Sequence, residues 1–128
     1  MSKRLGIIGG SGLYEIPGVD ILELHSIDTP WGVPSAPVVE CKYKEQNFFF
    51  LPRHGIGHSI PPSKINYRAN IDAFKKLDVT DVLSLSSVGS LNEDLSPGVF
   101  VIINQYVDFT KNRISTFFED DIVVHVSM

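Results

Sequence analysis

The chain has 128 residues, a formal net charge of -4 and a pI near 5.4, which allow one domain and disfavour a general nucleic-acid binder. Hydrophobic residues make up 43% and charged residues 20%, as in soluble globular proteins, and no apolar run reaches the length of a membrane span. The single cysteine, Cys41, permits no internal disulfide. It favours a reducing compartment, so we expect a cytoplasmic protein without a membrane or nucleic-acid partner.

The first predicted strand, Arg4–Ile8, runs directly into the glycine-rich segment Gly9–Gly12. Such a loop presents unhindered backbone N–H groups to an anion, and Ser11 adds a hydroxyl. It is not a dinucleotide fingerprint, because Glu15 stands where the third glycine belongs, and no Gly-Lys-Ser/Thr follows to make a P-loop. A plain turn is the simpler interpretation of these residues alone.

Three further strands are predicted before the middle of the chain. Val19–Ser26 and Pro37–Tyr43 are separated by a turn-rich connection, and Phe48–Leu51 is a short apolar run. An uninterrupted apolar run of this length is typical of a strand covered on both faces.

Polar and basic side chains follow the Phe48–Leu51 strand at once. Arg53, His54 and His58 lie in a loop that contains two glycines, and the loop ends at a Pro-Pro pair. A permanent cation and two imidazoles delivered by a buried strand suggest a ligand site, although a solvated loop is the commoner role of such residues. The two histidines are four residues apart, but Gly55 follows the first and no third ligand lies nearby, so metal binding is disfavoured.

One clear helix is predicted over Ser63–Asp78, with Ser63 as its N-cap. Apolar residues recur every three or four positions along it, and Asp72 and Lys76 form an i,i+4 pair on its exposed side. Val79–Leu85 follows as a second buried strand and ends at Ser86 and Ser87.

The last third of the chain gives weaker signals. Val99–Asn104 and Ile122–Val126 are predicted as strands, and Lys111–Phe118 as a short helical turn. His125, on the last of these strands, is by pattern alone a core or interface histidine.

The alternation of strands and a helix predicts an α/β fold in which the strands before the three polar loops are parallel. The carboxyl ends of parallel strands share one edge of the sheet. Glycine amides, serine hydroxyls, an arginine and two histidines would converge there, which suits an oxyanion such as phosphate. No residue stands out as a covalent nucleophile, so the phosphate would itself be the reactant.

Several motifs resemble the methylthioadenosine phosphorylases of the purine nucleoside phosphorylase family. They are GIIGGSGLYE (6–15), DTPWGVPSAP (28–37), LPRHGIGHSIPPSKINYRANIDA (51–73), VGSLNEDLSPG (88–98) and RISTFF (113–118). The resemblance implies a central mixed β-sheet flanked by helices. It implies phosphorolysis of 5′-methylthioadenosine to adenine and 5-methylthioribose 1-phosphate, with phosphate as co-substrate and no cofactor or metal.

The same resemblance assigns roles to residues at matching positions. Phosphate-binding positions match Ser11, Arg53, His54, Ser86 and Ser87. Further matches place His58 in the pocket for the 5′-substituent and His125 in the pocket of a neighbouring subunit, which implies a homotrimer with shared sites.

Members of this family carry their base-binding carboxylates in a second half that has no counterpart before Met128. We therefore expect residues 1–128 to be the N-terminal part of a single phosphorylase domain, in which no catalytic residue is identified. Two alternatives stay open: a phosphorylase for methylthioinosine or another purine nucleoside, and a non-catalytic phosphate- or nucleoside-binding fragment.

Overall fold

The computed structural model describes residues 3–10, 12, 16–118 and 122–125, and its centre is one five-stranded sheet in the order β2-β3-β4-β1-β5. The strands are β1 (Leu5–Gly9), β2 (Val19–His25), β3 (Val38–Tyr43), β4 (Gln46–Pro52) and β5 (Asp81–Ser84). All five lie within two residues of their predicted bounds.

The pairing of β1 confirms the predicted mixed α/β sheet. β1 is parallel to β4 on one side and to β5 on the other, whereas β2, β3 and β4 form an antiparallel meander. Because β4 and β5 flank β1, the connection between them crosses over β1, as a parallel pairing requires. The carboxyl ends of these three strands therefore lie at one edge.

This crossover contains helix α1, which spans Tyr67–Lys76 and is shorter than predicted. The predicted N-cap, Ser63, is wrong: Ser63 lies in a separate 3₁₀ turn, Pro62–Lys64, and Asn66 caps the helix by accepting a hydrogen bond from the Ala69 N–H. Residue 65 is extended, which separates the 3₁₀ turn from α1. The expected pair on the helix is present, with Lys76 Nζ 3.8 Å from Asp72 Oδ2.

Both faces of the sheet bury apolar side chains. On the α1 side, Phe49 and Leu51 of β4 pack with Phe74 of the helix. On the other side, Phe48 and Phe50 pack with Val39 and Cys41 of β3. Phe48–Leu51 is thus covered on both faces, as predicted, and the buried Cys41 is a free thiol.

The predicted burial of Val79–Leu85 is wrong. The strand is confined to Asp81–Ser84, and all four residues are exposed. β5 is the outermost strand in the sheet order, and within the described residues its faces are not covered as those of β4 are.

The chain after β5 forms no helix or strand between residues 86 and 118 or at residues 122–125. The predicted strand Val99–Asn104 and helical turn Lys111–Phe118 are therefore wrong, as is Ile122–Val126 over its described residues. Phe100 and Ile102 are 95% and 98% exposed, so within the described residues they neither pair in a strand nor pack into the core. No helix among the described residues is both long and apolar enough to cross a bilayer.

Arg113 and Phe117 nevertheless contact the earlier part of the chain, at Tyr67 of α1 and at Trp31 between β2 and β3. The Arg113 guanidinium lies 4.8 Å from the Tyr67 ring centre, and the Phe117 ring meets Trp31 edge-on at 5.3 Å. Arg68 covers the Trp31 ring at 4.6 Å. Such contacts stabilise by about 0.5–1 kcal/mol each at exposed sites.

Candidate oxyanion site

Backbone hydrogen bonds join the loops at the carboxyl ends of β1, β4 and β5. The Arg53 N–H donates to the Gly9 carbonyl over 3.0 Å, and the Leu85 N–H donates to the Ile8 carbonyl over 2.8 Å. Each bond extends a strand pairing by one step into the loop that follows. The three predicted polar loops therefore start from one edge of the sheet, as the sequence indicated.

The Arg53 side chain connects two of these loops. Its Nη1 donates to the carbonyl of Leu85 over 2.7 Å, although Arg53 follows β4 and Leu85 follows β5, with β1 between them. The guanidinium therefore reaches across the end of β1. Because a guanidinium is a planar fork with several N–H donors, one bond to a carbonyl leaves others for an oxyanion.

His54 is a buried histidine whose ring is fixed at two points. Its Nδ1 is 2.9 Å from the carbonyl of Ile60, and its ring stacks on His58 with centroids 4.4 Å apart and planes 15° apart. A carbonyl oxygen accepts and never donates, so Nδ1 carries the proton in this bond. In the neutral ring Nε2 is then the acceptor, which can take a proton from a bound ligand.

Two backbone conformations shape the loop that holds these histidines. Gly55 has φ 73° and ψ 176°, a region that only glycine adopts readily, and a Cβ there would lie 3.0 Å from Ser59 Oγ and 3.2 Å from Ile60 Cδ1. His58 has φ 58°, an unusual conformation for a residue with a side chain. This backbone turns His58 back onto His54.

The other predicted site residues have no described side-chain contact with Arg53 or His54. Ser86 and Ser87 are exposed and follow Leu85 directly, so they lie beside the carbonyl that accepts from Arg53. Ser11 lies outside the described residues. His125 is exposed in the short irregular segment 122–125, and its role in a neighbouring subunit's pocket stays a prediction.

Sequence reasoning missed the groups that orient the site. These are the backbone carbonyls of Leu85 and Ile60, which hold Arg53 and His54. No residue type marks a carbonyl that accepts from a side chain, so the sequence carries no signal for them. Asn66 did carry a signal, since asparagine is among the best N-caps.

An arginine beside a buried histidine and a glycine-containing loop, at the carboxyl ends of parallel strands, is an arrangement that suits a small anionic ligand. The arginine supplies fixed charge and the histidine supplies an exchangeable proton.

Comparison with known proteins gives the class directly. The family model of the phosphorylase superfamily matches residues 4–128. The chain therefore belongs to the phosphorylase superfamily.

Within that superfamily the similar proteins share one name. The S-methyl-5'-thioadenosine phosphorylase of Bradyrhizobium diazoefficiens is 51% identical over 124 residues, which cover 97% of this chain and 43% of the relative. The protein of the same name from Hyperthermus butylicus is 52% identical over 125 residues, which cover 97% of this chain and 45% of the relative. This similarity confirms the resemblance seen in the motifs.

Solved structures agree with the fold. Methylthioadenosine phosphorylase from Schistosoma mansoni in complex with adenine superposes with a TM-score of 0.84 at 43% identity, covering 94% of this chain and 43% of that one. The same enzyme in complex with tubercidin gives a TM-score of 0.82 at 44% identity, covering 91% of this chain and 41% of that one. The chain spans less than half the length of the relatives it matches.

Proposed function

We propose that this chain supplies the phosphate-binding part of an enzyme that cleaves 5′-methylthioadenosine with inorganic phosphate to adenine and 5-methylthioribose 1-phosphate. The observation that carries the proposal is Arg53, whose guanidinium crosses the end of β1 to the Leu85 carbonyl beside His54 and the Ser86-Ser87 loop. Supporting it, the similar relatives carry the name of this activity.

The reaction exchanges one bond at the ribose C1′ for another. The C1′–N9 bond breaks and its electrons leave with adenine, while a phosphate oxygen forms the new bond to C1′. The phosphate dianion loses its one proton, and adenine gains one proton at the departing nitrogen, so the reaction balances. Positive charge develops on the ribose in between, so a phosphate held below the ring both stabilises that charge and attacks it.

In this scheme Arg53 binds the negatively charged phosphate, and His54 exchanges a proton with it. Arg53 is itself held by Leu85, so its guanidinium is oriented before phosphate arrives. Because Nδ1 of His54 donates a hydrogen bond to the Ile60 carbonyl, Nε2 is the atom that accepts a hydrogen bond from the phosphate hydroxyl. Ser11, Ser86 and Ser87 add further hydrogen bonds to phosphate, and His58 lines the pocket for the 5′-substituent.

The test is release of adenine from 5′-methylthioadenosine with and without phosphate, followed by the change in ultraviolet absorbance on base release. We expect release only with phosphate, and 5-methylthioribose 1-phosphate as the second product. Release without phosphate would indicate hydrolysis, and binding of nucleoside without turnover would support a non-catalytic binding fragment.

A comparison of substrates tests the remaining alternative, a phosphorylase for methylthioinosine or another purine nucleoside. Methylthioinosine and inosine are assayed beside 5′-methylthioadenosine at one phosphate concentration. A preference for methylthioinosine would transfer the proposal to that purine, with the same phosphate chemistry.

The proposal includes a homotrimer in the cytoplasm with no cofactor. His125 would reach the substrate pocket of a neighbouring subunit, so the sites are shared. Sedimentation velocity tests the assembly, and a monomeric active species would contradict it.

A further inference from the structure

A second cluster of functional side chains lies on the β2–β3 hairpin. Glu23, His25 and Glu40 each offer one metal-ligating atom, and these atoms lie within 4.8 Å of one another. Among the described residues this is the group whose spacing suits a metal ion, and it includes neither histidine of the oxyanion site.

A β-bulge brings the three side chains to one face of the sheet. Ile21 pairs with Cys41, but Glu23 already pairs with Glu40, so β2 has one residue more than β3 at this point. In a regular ladder Glu23 and His25 would share the face of Ile21 and Cys41. The extra residue, Leu22, reverses the alternation and moves Glu23 and His25 to the face of Glu40.

The cluster is backed by an aromatic ring and is separate from the oxyanion site. The His25 ring lies 5.9 Å from that of Phe49. Glu40 also lines a cavity of about 270 Å³ with Lys3, Arg4 and Asn47, at the amino ends of β1 and β4. The candidate oxyanion site lies at the opposite, carboxyl ends of those strands.

His25 and Glu40 already have the separation of two ligands on one ion. His25 Nε2 is 3.0 Å from Glu40 Oε2, and two ligands at about 2.1 Å from a metal ion are roughly 3.0–3.4 Å apart at usual bond angles. An ion therefore replaces the shared proton with little movement. The Glu23 carboxylate, which is exposed, moves inward to complete the set.

We propose that Glu23, His25 and Glu40 form a binding site for a divalent transition-metal ion, with Zn²⁺ the ion whose preferences fit best. Zn²⁺ binds both imidazole nitrogen and carboxylate oxygen in proteins, and the exposure of Glu23 leaves a position for water. The bound ion joins the bulged edge strand to β3. The nearby positive charges of Lys3 and Arg4 oppose a cation and limit its affinity.

The experiment is isothermal titration of the metal-free protein with Zn²⁺, repeated with Co²⁺, whose visible absorption reports the ligand set. His25→Gln and Glu40→Gln remove one ligand each. Glu23→Gln changes an exposed side chain and is the variant least apt to disturb folding. Matched controls are Glu45→Gln, in the β3–β4 turn, and His58→Gln, which removes a histidine of the other cluster.

We expect one Zn²⁺ per chain, weakened at least tenfold by each ligand substitution, since losing even an outer-shell partner costs about 10–100-fold. Both controls should bind as the unsubstituted protein does, and Zn²⁺ should raise the thermal unfolding midpoint. The proposal is overturned if no saturable binding occurs, if Glu23→Gln and His25→Gln bind Zn²⁺ unchanged, or if His58→Gln is the variant that loses it.

Discussion

Gly55 offers the sharpest test of how the loop holds His54, because Gly57, two residues on, is its matched control. Both glycines have positive φ, 73° and 68°. A methyl group at Gly55 would lie 3.0 Å from Ser59 Oγ and 3.2 Å from Ile60, whereas one at Gly57 would meet nothing within 4 Å. Both alanine variants therefore carry backbone strain, and only Gly55→Ala adds a clash.

The magnitudes follow from these contacts. Gly57→Ala places alanine in the left-handed region, which costs about 1–2 kcal/mol. Gly55→Ala places it in a region that is nearly restricted to glycine, at about 1–3 kcal/mol. It also displaces Ile60, whose carbonyl holds His54 Nδ1, and losing that hydrogen bond adds about 0.5–1.5 kcal/mol.

Urea unfolding of the two variants and of the unsubstituted protein measures the difference. We expect Gly55→Ala to be less stable than Gly57→Ala by about 1.5 kcal/mol, the difference between the midpoints of these ranges. It should also raise the phosphate concentration needed for half-maximal binding. Equal losses of stability, or a larger loss in Gly57→Ala, would refute the claim that Ile60 packs against Gly55 to position His54.

Three further predictions concern single side chains. In the complete enzyme, Arg53→Ala should raise the apparent KM for phosphate about tenfold or more, since hydrogen bonds to charged groups contribute about 1.5–3 kcal/mol. Lys75→Ala, which removes an exposed helix cation, should leave that KM unchanged. Asn66→Ala should destabilise the fold by about 1–2 kcal/mol in urea unfolding through loss of the cap. Ser63→Ala should change stability by less than about 0.5 kcal/mol. A larger loss in Ser63→Ala than in Asn66→Ala would contradict the observed cap. Burial first, and the Glu40 carboxylate second, raise the pKa of the Cys41 thiol above its ordinary value of 9.0. The native state then keeps its proton longer than the unfolded chain, so stability should fall as pH rises from 9.0 through the raised value, and a Cys41→Ala variant that shows the same fall would exclude this cause.

The strand Phe48–Leu51 was the easiest feature to predict. Phe48–Leu51 is an unbroken apolar run, and the structure buries it on both sides. The parallel arrangement also followed from the sequence, because a strand, a helix and a strand in succession require a crossover. That arrangement brought Arg53 and the Ser86-Ser87 loop to one edge.

The wrong predictions concern residues whose local sequence pattern disagrees with their tertiary context. Ser63 follows two prolines and has a good N-cap side chain, but the backbone stays extended at residue 65 and Asn66 takes that role. Val99–Asn104 has the apolar content of a strand, yet a strand forms only with a partner to pair with. The Glu23–His25–Glu40 group could not be predicted, because a β-bulge determines which face Glu23 occupies and no sequence pattern marks that bulge.

Calorimetric titration of the protein with inorganic phosphate tests the oxyanion site most directly, with chloride as the reference anion. We expect saturable binding of one phosphate per chain that weakens about tenfold or more in Arg53→Ala, since the guanidinium carries the charge that holds the phosphate. Absence of saturable phosphate binding, or equal binding by Arg53→Ala, would contradict the assignment of the oxyanion site to the ends of β1, β4 and β5.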